Sequence, residues 1–185
     1  MKKTTKKQYV IPNEITGEDI KRLRDILGMT QREFAVFANC ALRTVENWES
    51  KDGGITGPIV TLVDILMRNP ELARKLEFPE NKLKLRLIYM YEHVVCTIID
   101  VDETERKVKI RNYIDKPMFR AFGNNTEPTF EDYEEFIESR CFPRQRDKMK
   151  LELKRLGIPF YDPIMIIEKT EGRMAEDNFW IKIER

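Results

Sequence analysis

The sequence predicts two folded parts of different class. An all-α bundle of about five helices occupies residues 15–78, and an α+β domain occupies residues 82–185. The domain's antiparallel sheet of about four strands follows the order β-β-β-α-α-α-β. Three observations predict this. Apolar residues recur at helical spacing as far as Leu76, and the composition then shifts at Phe78-Pro79-Glu80-Asn81. Beyond that point the period becomes two, with Leu83, Leu85 and Leu87 alternating with Lys82, Lys84 and Arg86. From Thr129 onward, capping residues and prolines mark out helices again before a last alternating run, Trp180-Ile181-Lys182-Ile183.

Residues 1–14 read as a flexible basic arm carrying Lys2, Lys3, Lys6 and Lys7. Such an arm either contacts phosphate or keeps the chain soluble. Thr16 or Gly17 starts the first helix, with Ile20, Leu23, Ile26 and Leu27 on one stripe and Gly28 as its stop. Residues 30–48, TQREFAVFANCALRTVENW, read as two short helices joined by a tight turn. Phe34, Ala35, Phe37 and Ala38 form the apolar side of the first of these helices. Asn39 supplies the turn because it tolerates positive φ better than any residue except glycine. In the second helix Val45 and Trp48 face inward, leaving Leu42, Arg43, Thr44, Glu46 and Asn47 to face out. Lys51-Asp52-Gly53-Gly54 is a loop, and Thr56-Gly57-Pro58 opens a helix apolar on more than one side through Ile59, Val60, Leu62, Val63, Leu66 and Met67. One side covers the bundle; the other is left for a second copy of the chain or for the next domain. Asn69-Pro70 breaks this helix, and residues 71–77 add a short last one.

In the second part, residues 94–101 form a mostly apolar β-branched run that places the lone histidine, His93, in a strand. Asp102-Glu103-Thr104-Glu105 connects it to residues 107–114, where Val108, Ile110 and Ile114 oppose Lys107, Lys109 and Arg111. The expected result is a three-stranded meander with one wet face. Thr129 caps a helix bearing Phe130, Tyr133, Phe136 and Ile137, with Glu131 and Asp132 where the helix dipole favours acids. Residues 144–156 form the next helix, and Asp162-Pro163 opens a third that stops near Gly172.

The segment 30–48 resembles the helix-turn-helix of the Cro/C1-type (XRE) repressor family, and residues 15–76 are similar to its antitoxin-like branch. Thr30-Gln31, Glu33-Phe34-Ala35, Thr44-Val45 and Trp48-Glu49 fall at family positions. Asn39 replaces the frequent glycine of the turn, and Ala41 replaces the usual Ser or Thr cap of the second helix. The resemblance implies a transcriptional regulator binding operator DNA as a homodimer. On the second helix, Leu42, Arg43 and Asn47 would read bases, Arg43 suiting guanine, Asn47 adenine and Leu42 a thymine methyl. Gln31, Thr44 and Lys51 would hold phosphates. Residues 111–185 resemble small bacterial proteins, some encoded beside HipA-type toxins. That likeness assigns no residue a role.

Composition limits the alternatives. Lys and Arg number 33 against 32 Asp and Glu, so the chain does not coat nucleic acid by bulk charge, and recognition must be local. Cys40, Cys96 and Cys141 are odd in number and widely spaced, as expected for reduced thiols in the cytoplasm, and no apolar run reaches membrane-spanning length. One histidine, no Walker loop and no G-x-G-x-x-G argue against an enzyme, a metal site or a cofactor. Three functions remain open. The first is an antitoxin-like autorepressor whose C-terminal half holds a protein partner. The second is a phage-borne inhibitor of a host defence protein that also represses its own promoter. The third is a metal-dependent nuclease using Asp177 and Lys182. Two further stretches invite attention: the basic cluster Arg140, Arg144, Arg146, Lys148 and Lys150, which binds phosphate or is a solvated face, and the polar loop 172–178, which is a site or a connection.

Overall fold

The computed structural model describes residues 8–79, 83–145 and 149–184. The chain divides into two units, Met1–Glu77 and Phe78–Arg185. The first contains α1 (Gly17–Leu27), α2 (Gln31–Phe37), α3 (Leu42–Ser50), α4 (Pro58–Arg68) and α5 (Glu71–Lys75). Helices α1 and α2 each begin with a reciprocal cap. The Thr16 and Thr30 hydroxyls accept from the backbone N–H groups of Asp19 and Glu33, whose carboxylates accept in return from the Thr16 and Thr30 N–H groups. Gly28 ends α1 in the left-handed conformation, with φ at 68°. Ile20, Leu23, Phe34 and Val45 are fully buried at the centre, joined by Val60, Val63 and Leu66 of α4. An antiparallel bridge between Ile15 and Ile55 ties the approach to α1 to the approach to α4. Ile26, expected on the core stripe, is instead 41% exposed. At about 100° per residue it points well away from the side shared by Ile20, Leu23 and Leu27.

The second unit contains β1 (Leu85–Tyr91), β2 (Val94–Asp102), β3 (Lys107–Asn112), a 3-10 turn (Pro117–Phe119), α6 (Phe130–Ser139), α7 (Met149–Leu156), α8 (Pro163–Thr170) and β4 (Phe179–Glu184). The four strands form one antiparallel sheet in the order β3-β2-β1-β4, so the last strand rejoins beside the first. Leu87 is in register with Ile99 on one side and Ile183 on the other, and Ile99 with Ile110. This row and its neighbours Leu85, Tyr89, Val101 and Ile181 pack against Tyr133, Phe136 and Ile137 of α6 and Ile166 and Ile167 of α8. The Tyr89 ring stacks on Phe179 at 4.9 Å and meets Phe136 edge-on at 5.2 Å.

The 3-10 turn between β3 and α6 has no counterpart in the sequence pattern, and three expectations for this unit do not hold. His93 is exposed in the turn between β1 and β2 rather than in a strand, because Glu92 adopts a φ of 52° and reverses the chain there. The face of the sheet turned away from the helices is not uniformly wet. Ile88 and Ile98 are buried on it, opposite each other on the two central strands and flanked in register by Lys182 and Arg111. Beside them lies a buried ion pair, in which Arg86 donates to Asp100 through Nε at 2.7 Å and Nη2 at 2.9 Å and to the Pro79 carbonyl at 2.7 Å. Finally, Arg140 does not belong to a solvent-facing basic cluster. It is 7% exposed and donates to both Asp177 oxygens, at 2.6 and 3.0 Å, and to the Gly172 and Phe179 carbonyls. The loop 172–178 is thereby strapped to the end of α6. Arg146 and Lys148 of that cluster lie outside the described residues, as do Lys2, Lys3, Lys6, Lys7 and Lys82.

Candidate nucleic-acid interface

Helix α3 has two chemically distinct sides. Val45 is fully buried and Trp48 packs half-buried against the bundle core. Arg43 and Asn47, four residues apart, are exposed on the opposite side, with Glu46 and Ser50 beside them. Neither Arg43 nor Asn47 has a side-chain hydrogen bond or ion pair within the described residues, so both heads are available to a ligand. Leu42 and Thr44 are half-buried rather than outward-facing, and Leu42 packs against the core. Leu42 precedes Val45 by three residues, which places it on the same side of the helix.

The orientation of α3 is fixed at both ends. At its start, Asn39 takes a φ of 51°, and the N–H of Cys40 donates to the Ala35 carbonyl at 2.9 Å. The chain can therefore leave α2 and enter α3 within a few residues. Ala41 occupies the cap position with extended backbone, and no side chain caps the helix. At its other end, Glu49 accepts from Arg24 Nε at 2.6 Å, Arg24 Nη2 at 3.1 Å and Gln31 Nε2 at 2.9 Å. Arg24 also donates through Nη1 to the Met29 carbonyl at 2.8 Å. One carboxylate thus joins α1, α2 and α3. Burial raises the pKa of Glu49, but the hydrogen bonds from Arg24 and Gln31 and the Arg24 charge outweigh it and hold the carboxyl below its ordinary range. The same bond holds the Arg24 guanidinium more firmly protonated. Gly17 completes the junction, since a β-carbon there would lie 2.5 Å from the Trp48 carbonyl oxygen.

The residues expected to hold phosphate are differently placed. Gln31 is half-buried and spends its amide on Glu49, Thr44 is half-buried, and Lys51 is exposed but donates to the Gly54 carbonyl at 2.9 Å. Arg32, which sequence reasoning passed over, is exposed on α2. Its signal was its place one residue after Gln31, off the apolar stripe of Phe34 and Ala35. Outside this face, Asp177 is engaged by Arg140, and no group of three Asp, Glu, Cys or His among the described residues is arranged to share a metal ion. No helix among them is long and apolar enough to cross a membrane. Among known proteins, no family model matches the chain, and no curated protein matches it either.

Proposed function

We propose that the protein is a sequence-specific DNA-binding transcriptional regulator, an antitoxin-like autorepressor that binds its operator as a homodimer and carries a C-terminal protein-interaction domain. The observation that carries this reading is the exposed Arg43 and Asn47, unpaired among the described residues, on a helix whose other side is locked by Val45, Trp48 and Glu49. A rigid helix presenting a bidentate donor and an amide four residues apart has the equipment for major-groove readout, each correct pair contributing about 1–3 kcal/mol of discrimination. The exposed apolar side chains Ile65, Leu72 and Leu76 on and after α4 support self-association of the first unit. Dimerisation would bring two such helices to two half-sites, which a single small module needs for specific affinity.

The test is selection of duplexes from a random DNA pool by the full chain, followed by affinity measurements at fixed salt. A recovered consensus should contain guanine and adenine positions. Arg43→Ala should then lose about 1–3 kcal/mol of preference at the guanine while keeping non-specific binding. Failure to enrich any sequence, or unchanged operator affinity in Arg43→Ala, refutes the reading.

A further inference from the structure

The sheet of the second unit ends in β3 on one side and in β4 on the other, and only one of these edges is closed. On β4 the chain satisfies its own edge. The Phe179 N–H donates to Asp177 Oδ1 at 3.0 Å, the Phe179 carbonyl accepts from Arg140 Nη2 at 3.0 Å, and the Ile181 N–H donates to the Glu171 carbonyl at 2.7 Å. On β3 the Tyr113 N–H donates to the Cys96 carbonyl at 2.9 Å, which sets the phase of the ladder. The main-chain groups of Arg111, Lys109 and Lys107 therefore bond inward to Ile98, Asp100 and Asp102, and those of Val108, Ile110 and Asn112 point out of the sheet. These outward groups have no hydrogen-bond partner among the described residues. An open edge of this kind is a template for another strand. Its two faces differ in chemistry. Val108 and Ile110 pack against the core on the helix side, and Lys107 and Lys109 are exposed on the other. The acids opposite these lysines on β2 are already engaged, Asp100 by Arg86 and Asp102 by Lys84. Lys107 reaches Glu105 at 3.5 Å on the surface, and Lys109 has no ion pair among the described residues.

We infer that the β3 edge binds an extended segment of a partner protein as an added antiparallel strand, in which apolar residues alternate with acidic ones. The inference rests on the protein-interaction role proposed for the second unit and names its surface. Main-chain hydrogen bonds to Val108, Ile110 and Asn112 hold the segment, and its alternating side chains select it. Partner residues opposite Val108 and Ile110 lie on the helix side, where apolar groups fit. Those opposite Lys107 and Lys109 lie on the other face, where carboxylates complement the two lysines. A second copy of the chain is the poorer occupant, since two β3 strands paired antiparallel about Ile110 would set lysine and arginine side chains against one another. Outward donors and acceptors in alternation match a peptide backbone, whereas a phosphate chain offers acceptors alone.

Isotope-labelled full-length protein should be titrated separately with two capped peptides, one alternating valine with glutamate and one alternating valine with lysine, following backbone amide signals. The expected result is saturable shifts at Val108, Ile110 and Asn112, with the glutamate peptide binding about threefold or more tighter than the lysine peptide. Methylating the valine nitrogens of the peptide, which face β3, should abolish binding, and methylating the glutamate nitrogens, which face away, should leave it. The preference for glutamate should fall about threefold or more in a Lys107→Gln, Lys109→Gln double variant, whose two positions are exposed. Absence of shifts with both peptides, binding that survives valine methylation, or an unchanged preference in the double variant overturns the inference. Concentration-dependent shifts of the same three amides without peptide identify a second copy as the occupant and overturn it as well. Saturable shifts confined to other parts of the second unit overturn the edge assignment but leave that unit a peptide-binding domain, so the two failures are distinguishable.

Discussion

Replacing Glu49 by alanine tests the junction that aims α3. The side chain is 5% exposed and its partner Arg24 16% exposed, and the change removes three hydrogen bonds, two of them within an ion pair. Stranding one member of a buried pair costs about 3–5 kcal/mol. Arg24 keeps its bond to the Met29 carbonyl and can reach water, so the loss here should be about 2–3 kcal/mol. For a unit of this size that lowers the melting midpoint by about 10–20 °C. The two tryptophans make the assay specific, since Trp48 belongs to the first unit and Trp180 to the second. In a Trp180→Phe background, fluorescence during urea unfolding reports Trp48 alone. Arg24→Ala and the double variant complete a cycle whose coupling should be about 1–3 kcal/mol. A Trp48 transition that does not move in Glu49→Ala, or a coupling indistinguishable from zero, would refute the claim that this carboxylate holds the three helices together.

Three further outcomes follow from the same structure. Ala41 has the extended backbone of a cap without a capping side chain, so Ala41→Ser should stabilise the first unit by about 0.5–1 kcal/mol in urea titrations. Because the Glu49 carboxyl is held low, the folded unit takes up its proton less readily than the unfolded chain does. Its contribution is complete above the unfolded carboxyl value and fades as pH falls through the folded one. The Trp48 midpoint should therefore drop as pH falls below the ordinary glutamate value of about 4.3, with a shallower slope in Glu49→Gln. Arg140→Met leaves Asp177 without its guanidinium, at a cost of about 3 kcal/mol, and should open residues 172–178 to limited proteolysis that the parent protein resists.

The helix starts were legible because their signals are local. Thr16, Thr30 and Thr129 each precede an acid by three residues, and all three form reciprocal caps. Asn39 was legible for the same reason, as few side chains accept its conformation. The face bearing Arg43 and Asn47 followed from the inward positions of Val45 and Trp48. What could not be read were the pairings across the chain. Arg24 and Glu49 are 25 residues apart and Arg140 and Asp177 are 37 apart. In a sequence that is 35% charged, spacing alone does not single out one pair.

Two kinds of glycine coexist in the first unit, and they constrain its evolution differently. Gly28 is required by backbone angle, with open space around it, so asparagine is an available substitute. Gly17 is required by space: even a methyl group would press on the backbone at Trp48 and Glu49, where the peptide units cannot swing aside as a flexible side chain would. In a saturation library selected for folding, position 17 should tolerate nothing larger than hydrogen. The first residue of α1 would then be among the least mutable in the first unit.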